Sequence, residues 1–541
     1  MKKILIVESP NKAREISRMK LGVVPKATFG HIVDLPPDTM GMEIRPDKVF
    51  FVLEPLKNKK KTIAELKKAC KGNIVYLASD PDREGEAIAW HVYREIKKVA
   101  KEVHRVDIHA ITKAEIEKSL KNSRNINESR VEAQVARRLT DRWIGYVLSP
   151  MASRELKKRV SIGRTQTAGL RLVYDREMAI KKFVPEPLWK IKLDNGKDEF
   201  LSGIFKKEEE AKKLFDLLKS GVFVTGIEKK NEKKNPPAPL TASSMQQRCA
   251  SFKWNAKKTM SVAQSLFEKG LISYHRTDSV RLSDETLNKL QNYLKKKHPE
   301  LLSDKPVKHK NKNRTQDAHE AIHPIHLDEK HEPERLALPS DEKALYGVVW
   351  NSALASQAKP SVYEVVTVKA GNDSAPEALK AVGRKRIFDG WERFLKAELP
   401  KALGEYRKGQ KLEGELSIVK SFTTPPPRYD DGSFIKALES NGIGRPSTYA
   451  AIQDTLFKRG YVKKDKGKYV LTDLGRQVVE WARERFPEIA DVNFTAKLEE
   501  MLDAVELGEE SWENVVRQVD SIIKKHGKEI EKVDEYAYKR A

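Results

Sequence analysis

Short unbroken apolar runs and apolar positions at helical spacing take turns along the first part of this chain. Ile4-Leu5-Ile6-Val7 is a fully apolar run of the kind that makes a buried strand. Glu8-Ser9-Pro10 follows and opens a helix, because an early helical proline lacks only an N–H that has no helical partner anyway. Ile74-Val75-Tyr76-Leu77-Ala78 repeats the strand signal and leads into Ser79-Asp80-Pro81-Asp82. The helix predicted beyond it carries Ile88, Val92, Ile96 and Val99 at helical spacing. Such alternation predicts a parallel sheet with both faces covered. Ligands of parallel sheets gather at the carboxyl ends of the strands, where Glu8, Asp80 and Asp82 fall.

A basic helical stretch follows from about Ala133 to Arg164. LWKIKL and FVTGI predict strands, and Lys229 to Pro239 looks like a Lys/Pro-rich connector. From Leu240 to about Ile325 the pattern is helical, broken by a very basic loop, Lys305 to Arg314. VYEVVTVKA and KLEGELSIVK return to strands before the turn Pro425-Pro426-Pro427, and the end of the chain is helical. Within it, STYAAIQDTLFKRGYVKKDKGKYVLTDLG predicts a helix, two short strands and a Lys-Gly-Lys tip, the pattern of a winged-helix unit. No repeat of 20–50 residues is present.

Length and charge narrow the class. The 541 residues suggest three or four domains. Charged residues make up 33%, and Lys and Arg outnumber Asp and Glu by 103 to 78, a formal charge of +25. Thermophile-like Lys/Glu enrichment would explain the charge content but not its sign, so a polyanion such as nucleic acid is the expected partner. Cys70 and Cys249 form neither a CxxC metal site nor a disulfide framework, which fits a reducing compartment. No stretch approaches the roughly 18 apolar residues of a membrane span, and the N-terminal run is too short for a signal peptide. A soluble cytoplasmic, nucleoid-associated protein with no membrane partner is expected.

The sharpest chemistry lies in DPDREGE, Asp80 to Glu86. Asp80, Asp82 and Glu84 on one strand-to-helix turn, with Glu8 at the end of a second strand, suit a hard cation such as Mg²⁺. Acids attracted to a helix N-terminus explain Glu84 and Glu86 but not the rest. The segments VESPNKA and SDPDREGEAIAWH resemble the Toprim domain, in its type IA topoisomerase version. That resemblance implies that Glu8, Asp80, Asp82 and Glu84 bind Mg²⁺ beside a reacting phosphate.

GLISYHRTDS places Arg276 two residues beyond Tyr274. A phenol with a pKa near 10 is a poor nucleophile, and a neighbouring guanidinium both favours phenolate and holds a phosphate oxygen. Most tyrosines are packing residues, and spacing alone does not single this one out. The segment is, however, similar to the active-site string of type IA topoisomerases, which implies attack by Tyr274 on a DNA phosphate. His275 stands where that family commonly has Met, a departure closer to reverse gyrases. ARRLTDRWIGYVLSP, SIGRTQT, RTQDAHEAIHP, NGIGRPSTYA and FTAKLEEMLDAVELGEESW also resemble the family, so the likeness spans nearly the whole chain. It implies DNA contacts at His31, Arg137, Arg138, Asp141, Arg142, Ser161, Gly163, Arg164, Gln166, Arg276, Gly444, Arg445, Ser447 and Thr448, with His319 supporting the phosphate. Surface salt bridging is the plain alternative for any one of these arginines.

The family resemblance implies an α/β plus α+β multidomain fold: a Toprim domain, then helical domains and a β-rich arch forming a ring. The expected divisions are 1–140 for Toprim, 141–186 with 425–541 for a DNA-binding helical domain, 187–240 with 356–424 for the arch, and 241–355 for the tyrosine-bearing domain. It implies relaxation of underwound or single-stranded DNA through a 5′-phosphotyrosine, with Glu8 as general acid and Lys12 on the scissile phosphate. Gln410 in GEYRKGQKL stands where a Walker lysine is needed, so no ATP is expected. No Cys-rich module follows the core, so zinc is not expected, and a monomer is. Alternatives are the topoisomerase part of a split reverse gyrase with a helicase partner, another Toprim enzyme such as a primase or nuclease, and a non-catalytic DNA-binding protein.

Overall fold

A computed structural model describes residues 1–311 and 319–526. Arg314 to Ala318 of the histidine segment, the end of the basic loop at Lys312 to Arg314, and residues 527–541 lie outside the described residues.

The N-terminal sheet is four-stranded and parallel, in the order Val23–Ala27, Lys3–Val7, Ile74–Leu77, Glu102–Arg105. Successive side chains of a strand point to opposite faces. Ile4 and Ile6 accordingly pack with Ile63, Leu66, Val92 and Ile96 from the helices Lys60–Cys70 and Arg83–Ile96. Leu5 and Val7 face the other way, into a core shared with Leu266, Phe267, Tyr346 and Trp350. One face of the sheet is therefore covered by its own helices, and the other partly by residues more than 200 positions away. Ser9 caps the helix Pro10–Arg18 and Asp82 caps Arg83–Ile96. Val99, expected in that second helix, lies beyond its end.

Between the second strand and Lys60–Cys70 the chain makes two small hairpins that sequence periodicity does not announce. One of them, Met42–Ile44 with Val49–Phe51, docks on the C-terminal helix Trp512–Lys525, with the Phe51 and Trp512 rings edge to face at 5.9 Å. The largest core joins the helices Glu128–Glu155 and Arg164–Lys182 to the helices between Asp431 and Lys525. The expected hairpin is there, Val462–Asp465 with Lys468–Leu471, and its tip turns at Lys466 and Gly467, both at positive φ.

The arch is a six-stranded sheet, Phe223–Lys234, Ser361–Asn372, Ala375–Phe388, Glu199–Leu201, Pro187–Asp194 and Glu415–Phe422 in that order. The connector expected from Lys229 is a strand up to Lys234, paired with Ser361–Val366. It is the edge of the sheet, and lysines on an edge strand keep it from pairing with another chain, which is why its composition resembles a linker. The helices Ala242–Cys249, Ala256–Glu268, Asp284–Lys297 and Ser340–Gln357 form the segment that packs on the Leu5/Val7 face. Among the described residues no helix is long and apolar enough to cross a membrane.

Candidate active site

The carboxyl edge of the parallel sheet gathers the acids. Glu8 accepts a hydrogen bond from the Asp80 N–H at 2.9 Å. Burial, and then the negative charge of Asp80, push the Glu8 carboxyl up to about 8, with Lys12 opposing. Asp80 is itself buried, yet Lys12 and Arg276 hold it below the usual carboxylate range. Lys12, expected on a phosphate, is buried and in contact with Asp80. Asp82 is raised by burial and by the charges of Asp80 and Glu84.

The acid loop is held from behind by a residue the sequence reading passed over. The Arg105 guanidinium is fully buried and donates to the carbonyls of Leu77, Ser79, Val106 and Asp80 at 3.0, 3.0, 2.5 and 2.8 Å. It also meets Glu86 at 3.0 Å, so Glu86 is an internal counter-ion rather than a helix-dipole decoration. An arginine at the end of the strand Glu102–Arg105 was the available signal. Gly85 lies so close to the loop that a Cβ there would sit 2.1 Å from the Asp80 carbonyl oxygen.

Tyr274 comes to this loop from the opposite side of the sheet's shared core. Its N–H donates to the His109 carbonyl at 3.0 Å, and its hydroxyl donates to Asp82 Oδ2 at 2.6 Å. Only 3% of the residue is exposed. Burial and the neighbouring Asp82 and Asp80 charges raise the phenol well above its ordinary value, with Arg276 opposing. The His319 ring lies 5.3 Å from the Tyr274 ring, and among the described residues neither of its nitrogens has a hydrogen-bond partner. Burial drives His319, and His275 likewise, down to about 3, so both are neutral.

Glu84 meets His31 at 3.4 Å and Arg276 at 3.8 Å. The four expected metal ligands therefore do not converge: among the described residues no three His, Cys, Asp or Glu side chains form a metal-holding group. Each acid is occupied instead, Glu8 by the Asp80 amide, Asp80 by Lys12, Asp82 by Tyr274 and Glu84 by His31. Their chemistry still suits a hard cation, since buried Asp80 and Asp82 and half-buried Glu8 are oxygen donors that repel one another.

A cleft of about 230 Å³ runs beside them, lined by Asp82, Glu84, Arg137, Arg276, Arg445 and Thr448 among others, with Ser447 also on its wall. The other expected DNA contacts are placed differently. Arg138 pairs with Asp34 at 2.8 and 2.7 Å, outside this cleft. Arg142 is buried and donates to the carbonyls of Pro36 and Thr39. Arg164 is buried between Asp141 and Glu499 at 2.9 and 2.7 Å. The Arg142 and Arg164 guanidiniums thus face partners inside the protein and do not line this cleft. The Ser161 amide donates to the Tyr461 hydroxyl, and Gly163 lies so close to Gln166 that a Cβ there would meet its Oε1 at 2.0 Å. Gly444, at φ +77°, turns the chain so that Arg445 enters the cleft.

Sequence reading also missed the acids that hold the arginines. Glu499, Asp503 and Glu506 lie on one face of the helix Val492–Glu506. Glu499 holds Arg164, Asp503 holds Arg83 at 2.9 Å and Arg445 at 2.5 Å, and Glu506 meets Arg83 and Arg130 at 3.1 and 3.2 Å.

A tyrosine hydroxyl is thus hydrogen-bonded to an acid at the carboxyl edge of a parallel α/β sheet, beside an arginine-lined cleft. Residues 3–111 match the Toprim domain, a type that generally binds metal, and residues 125–517 match the DNA topoisomerase family. The chain is 39% identical over 546 residues to DNA topoisomerase 1 of Aquifex aeolicus (strain VF5), covering 98% of this chain and 99% of that protein. It resembles the structure of full-length topoisomerase I from Thermotoga maritima with a TM-score of 0.86 at 34% identity, over 96% of this chain and 90% of that one. The chain belongs to the type IA DNA topoisomerase family, with a Toprim domain followed by the topoisomerase core. Membership favours topoisomerase I over the reverse-gyrase alternative raised by His275.

Proposed function

We propose that the chain relaxes underwound DNA by transesterification at Tyr274. Attack forms a bond between the Tyr274 oxygen and phosphorus and breaks the bond to the 3′-oxygen, leaving a 5′-phosphotyrosine and a 3′-hydroxyl. The phenolic proton passes to Asp82, which already accepts it in a hydrogen bond at 2.6 Å. Glu8 gives its proton to the departing 3′-oxygen, and rejoining reverses both transfers. Arg276 offsets charge on the phosphate. Arg137, Arg445, Ser447 and Thr448 form the wall along which the strand lies, and His31 flanks it.

Asp80 and Asp82, with Glu8 and Glu84 close by, would hold Mg²⁺. When bound, that ion supplies positive charge that favours alignment of the strand ends for rejoining. The phosphodiester energy is kept in the phosphotyrosine, so the reaction needs no ATP. We divide the molecule as the four expected domains, with the first boundary moved from 140 to the stretch between 111 and 128. The helix Glu128–Glu155 runs unbroken across position 140, and the two family matches separate at 111 and 125.

The observation that carries this reading is the Tyr274–Asp82 hydrogen bond, made across 192 positions of sequence in a buried site. The test is to mix the protein with a single-stranded oligonucleotide, quench with detergent and map the attached residue. A 3′-end label should stay with the protein on a Tyr274 peptide, and Tyr274→Phe should give no adduct. An adduct on another residue, or a retained 5′-end label, refutes it.

A further inference from the structure

Phe29 is an exposed aromatic residue held in a strained position at the edge of the site. It is 58% exposed and lies at φ +58°, with Gly30 after it at φ +88°. A bulky side chain in the left-handed region is an outlier that persists only where its surroundings impose it. They do so here. The Phe29 N–H donates to the Glu8 carbonyl at 2.8 Å, extending the ladder in which Thr28 donates to Val7 at 2.9 Å. Lys59 Nζ donates to the carbonyls of Thr28 and Phe29 at 3.2 and 2.6 Å, and lies 5.4 Å from the ring centroid. Among the described residues the ring belongs to no core cluster, yet two hydrogen bonds hold the Phe29 backbone and two more hold that of Thr28.

Its place in the fold suggests the reason. Phe29, Glu8 and Asp80 follow adjacent strands of the parallel sheet, so Phe29 lies about two strand spacings, roughly 10 Å, from the acid loop. His31, two residues on, reaches Glu84 on the wall of the cleft. Single strands are held without sequence preference by aromatic faces on which bases stack, reinforced by a nearby cation.

We infer that Phe29 is a stacking platform for a nucleobase of the single strand, on the Glu8 side of the scissile phosphate. Glu8 is assigned to the 3′-oxygen, so the base is that of the nucleotide that keeps the 3′-hydroxyl, or its neighbour. This rests on the site proposed above, and the lysine beside the ring supplies charge for the phosphate that joins those nucleotides. The backbone strain serves to turn the ring outward, into the path of the strand, rather than into the sheet.

The test uses the full chain carrying Tyr274→Phe, so that the strand stays uncut, and oligonucleotides with 2-aminopurine stepped through each position. Quenching should peak at one or two adjacent positions on the 3′-hydroxyl side of the cleavage point. It should be lost with Phe29→Ala and kept with Phe29→Trp, and Phe29→Ala should weaken binding about 5- to 100-fold. An abasic nucleotide at the peak position should weaken binding to the Phe29 protein but add nothing to Phe29→Ala. Phe29→Gly relieves the backbone and serves as the variant sure to suit the left-handed conformation; its quench should be lost as well. An unchanged quench profile in Phe29→Ala and Phe29→Gly, or an abasic penalty equal in all three proteins, overturns the platform. Adduct formation by the protein with Tyr274 intact is measured beside it. Its failure sinks the proposed site, whereas normal adducts with an unchanged profile sink only the platform.

Discussion

Arg164 offers the strongest test of structure against family likeness, because the two assign it different work. Its guanidinium is fully buried between Glu499, also fully buried, and Asp141. Removing one partner of a buried ion pair leaves the other charge uncompensated and costs about 3–5 kcal/mol, whereas replacing both by apolar groups is often neutral. Arg164→Met leaves Glu499 without its only direct guanidinium contact among the described residues, so a loss of about 3–5 kcal/mol is expected. Glu499→Gln keeps an acceptor and leaves Asp141 in place, so about 2 kcal/mol is expected. The double variant Arg164→Met, Glu499→Leu should recover most of the single loss. The sign with pH follows from Glu499. Burial opposes its ionisation, but Arg164, Arg137 and Arg445 hold it well below the ordinary 4.5. Its contribution is therefore present above pH 4.5 and is lost as the pH falls below that. Urea unfolding followed by tryptophan fluorescence, with oligonucleotide binding measured on the same samples, gives both quantities. If Arg164→Met unfolds within about 0.5 kcal/mol of the parent while binding collapses, the buried-pair account is wrong and Arg164 is a strand contact.

Three further outcomes follow from the site. Gly85→Ala drives a Cβ to within 2.1 Å of the Asp80 carbonyl and must displace the acid loop; adduct yield should fall at least about tenfold, and parental yield would contradict the geometry. His319→Leu removes buried ring nitrogens that lack partners among the described residues, so the unliganded protein should be as stable or about 1 kcal/mol more stable, while rejoining and cleavage slow. A lower melting temperature would show that His319 has a structural task. Burial raises Asp278, on the cleft wall, from 3.8 to about 6, so its ionised form penalises the fold above that pH and the penalty fades towards about pH 4. Asp278→Asn should therefore stabilise by about 2 kcal/mol at about pH 8 and by little at about pH 4, measured by urea midpoints; equal gains at both would remove the titration from the explanation.

What the sequence made legible was local. Ser9 and Pro10 announce a helix start, Ile74 to Leu77 a buried strand, and Lys466-Gly467 a tight turn, because each is written in residues that touch one another. Asp80, Asp82 and Tyr274 stood out as chemistry by type and by family likeness, and the structure brings Tyr274 and Asp82 together. What was not legible depends on partners far along the chain. Arg142 and Arg164 look identical to Arg137 in sequence, and only Pro36, Thr39, Asp141 and Glu499 reveal that they face the interior. Arg105 and the acids Glu499, Asp503 and Glu506 carry no motif, since their value lies in burial and pairing. Lys229 to Lys234 misleads for a different reason: at a sheet edge the features that protect a strand are those that describe a linker.

The same contacts leave the groups of the site paired with one another. The Tyr274 hydroxyl donates a buried hydrogen bond to Asp82, and burial with two neighbouring carboxylates holds the phenol far from ionisation. Lys12 is spent on Asp80 and Glu84 on His31, so the groups that would receive a phosphate and a cation satisfy one another. On the proposed mechanism, a phosphate held by Arg276 would compete with Asp80 for Lys12. The Leu5/Val7 face and the tyrosine segment share one apolar core, so separating them exposes Leu266, Phe267 and Ile272, which are almost wholly buried. Fully burying side chains of this kind is worth about 1.5–3 kcal/mol each. On the proposed function, separating these layers to pass a strand would have to be driven by DNA contacts made on the opened surfaces, with the torsion stored in underwound DNA as the available free energy.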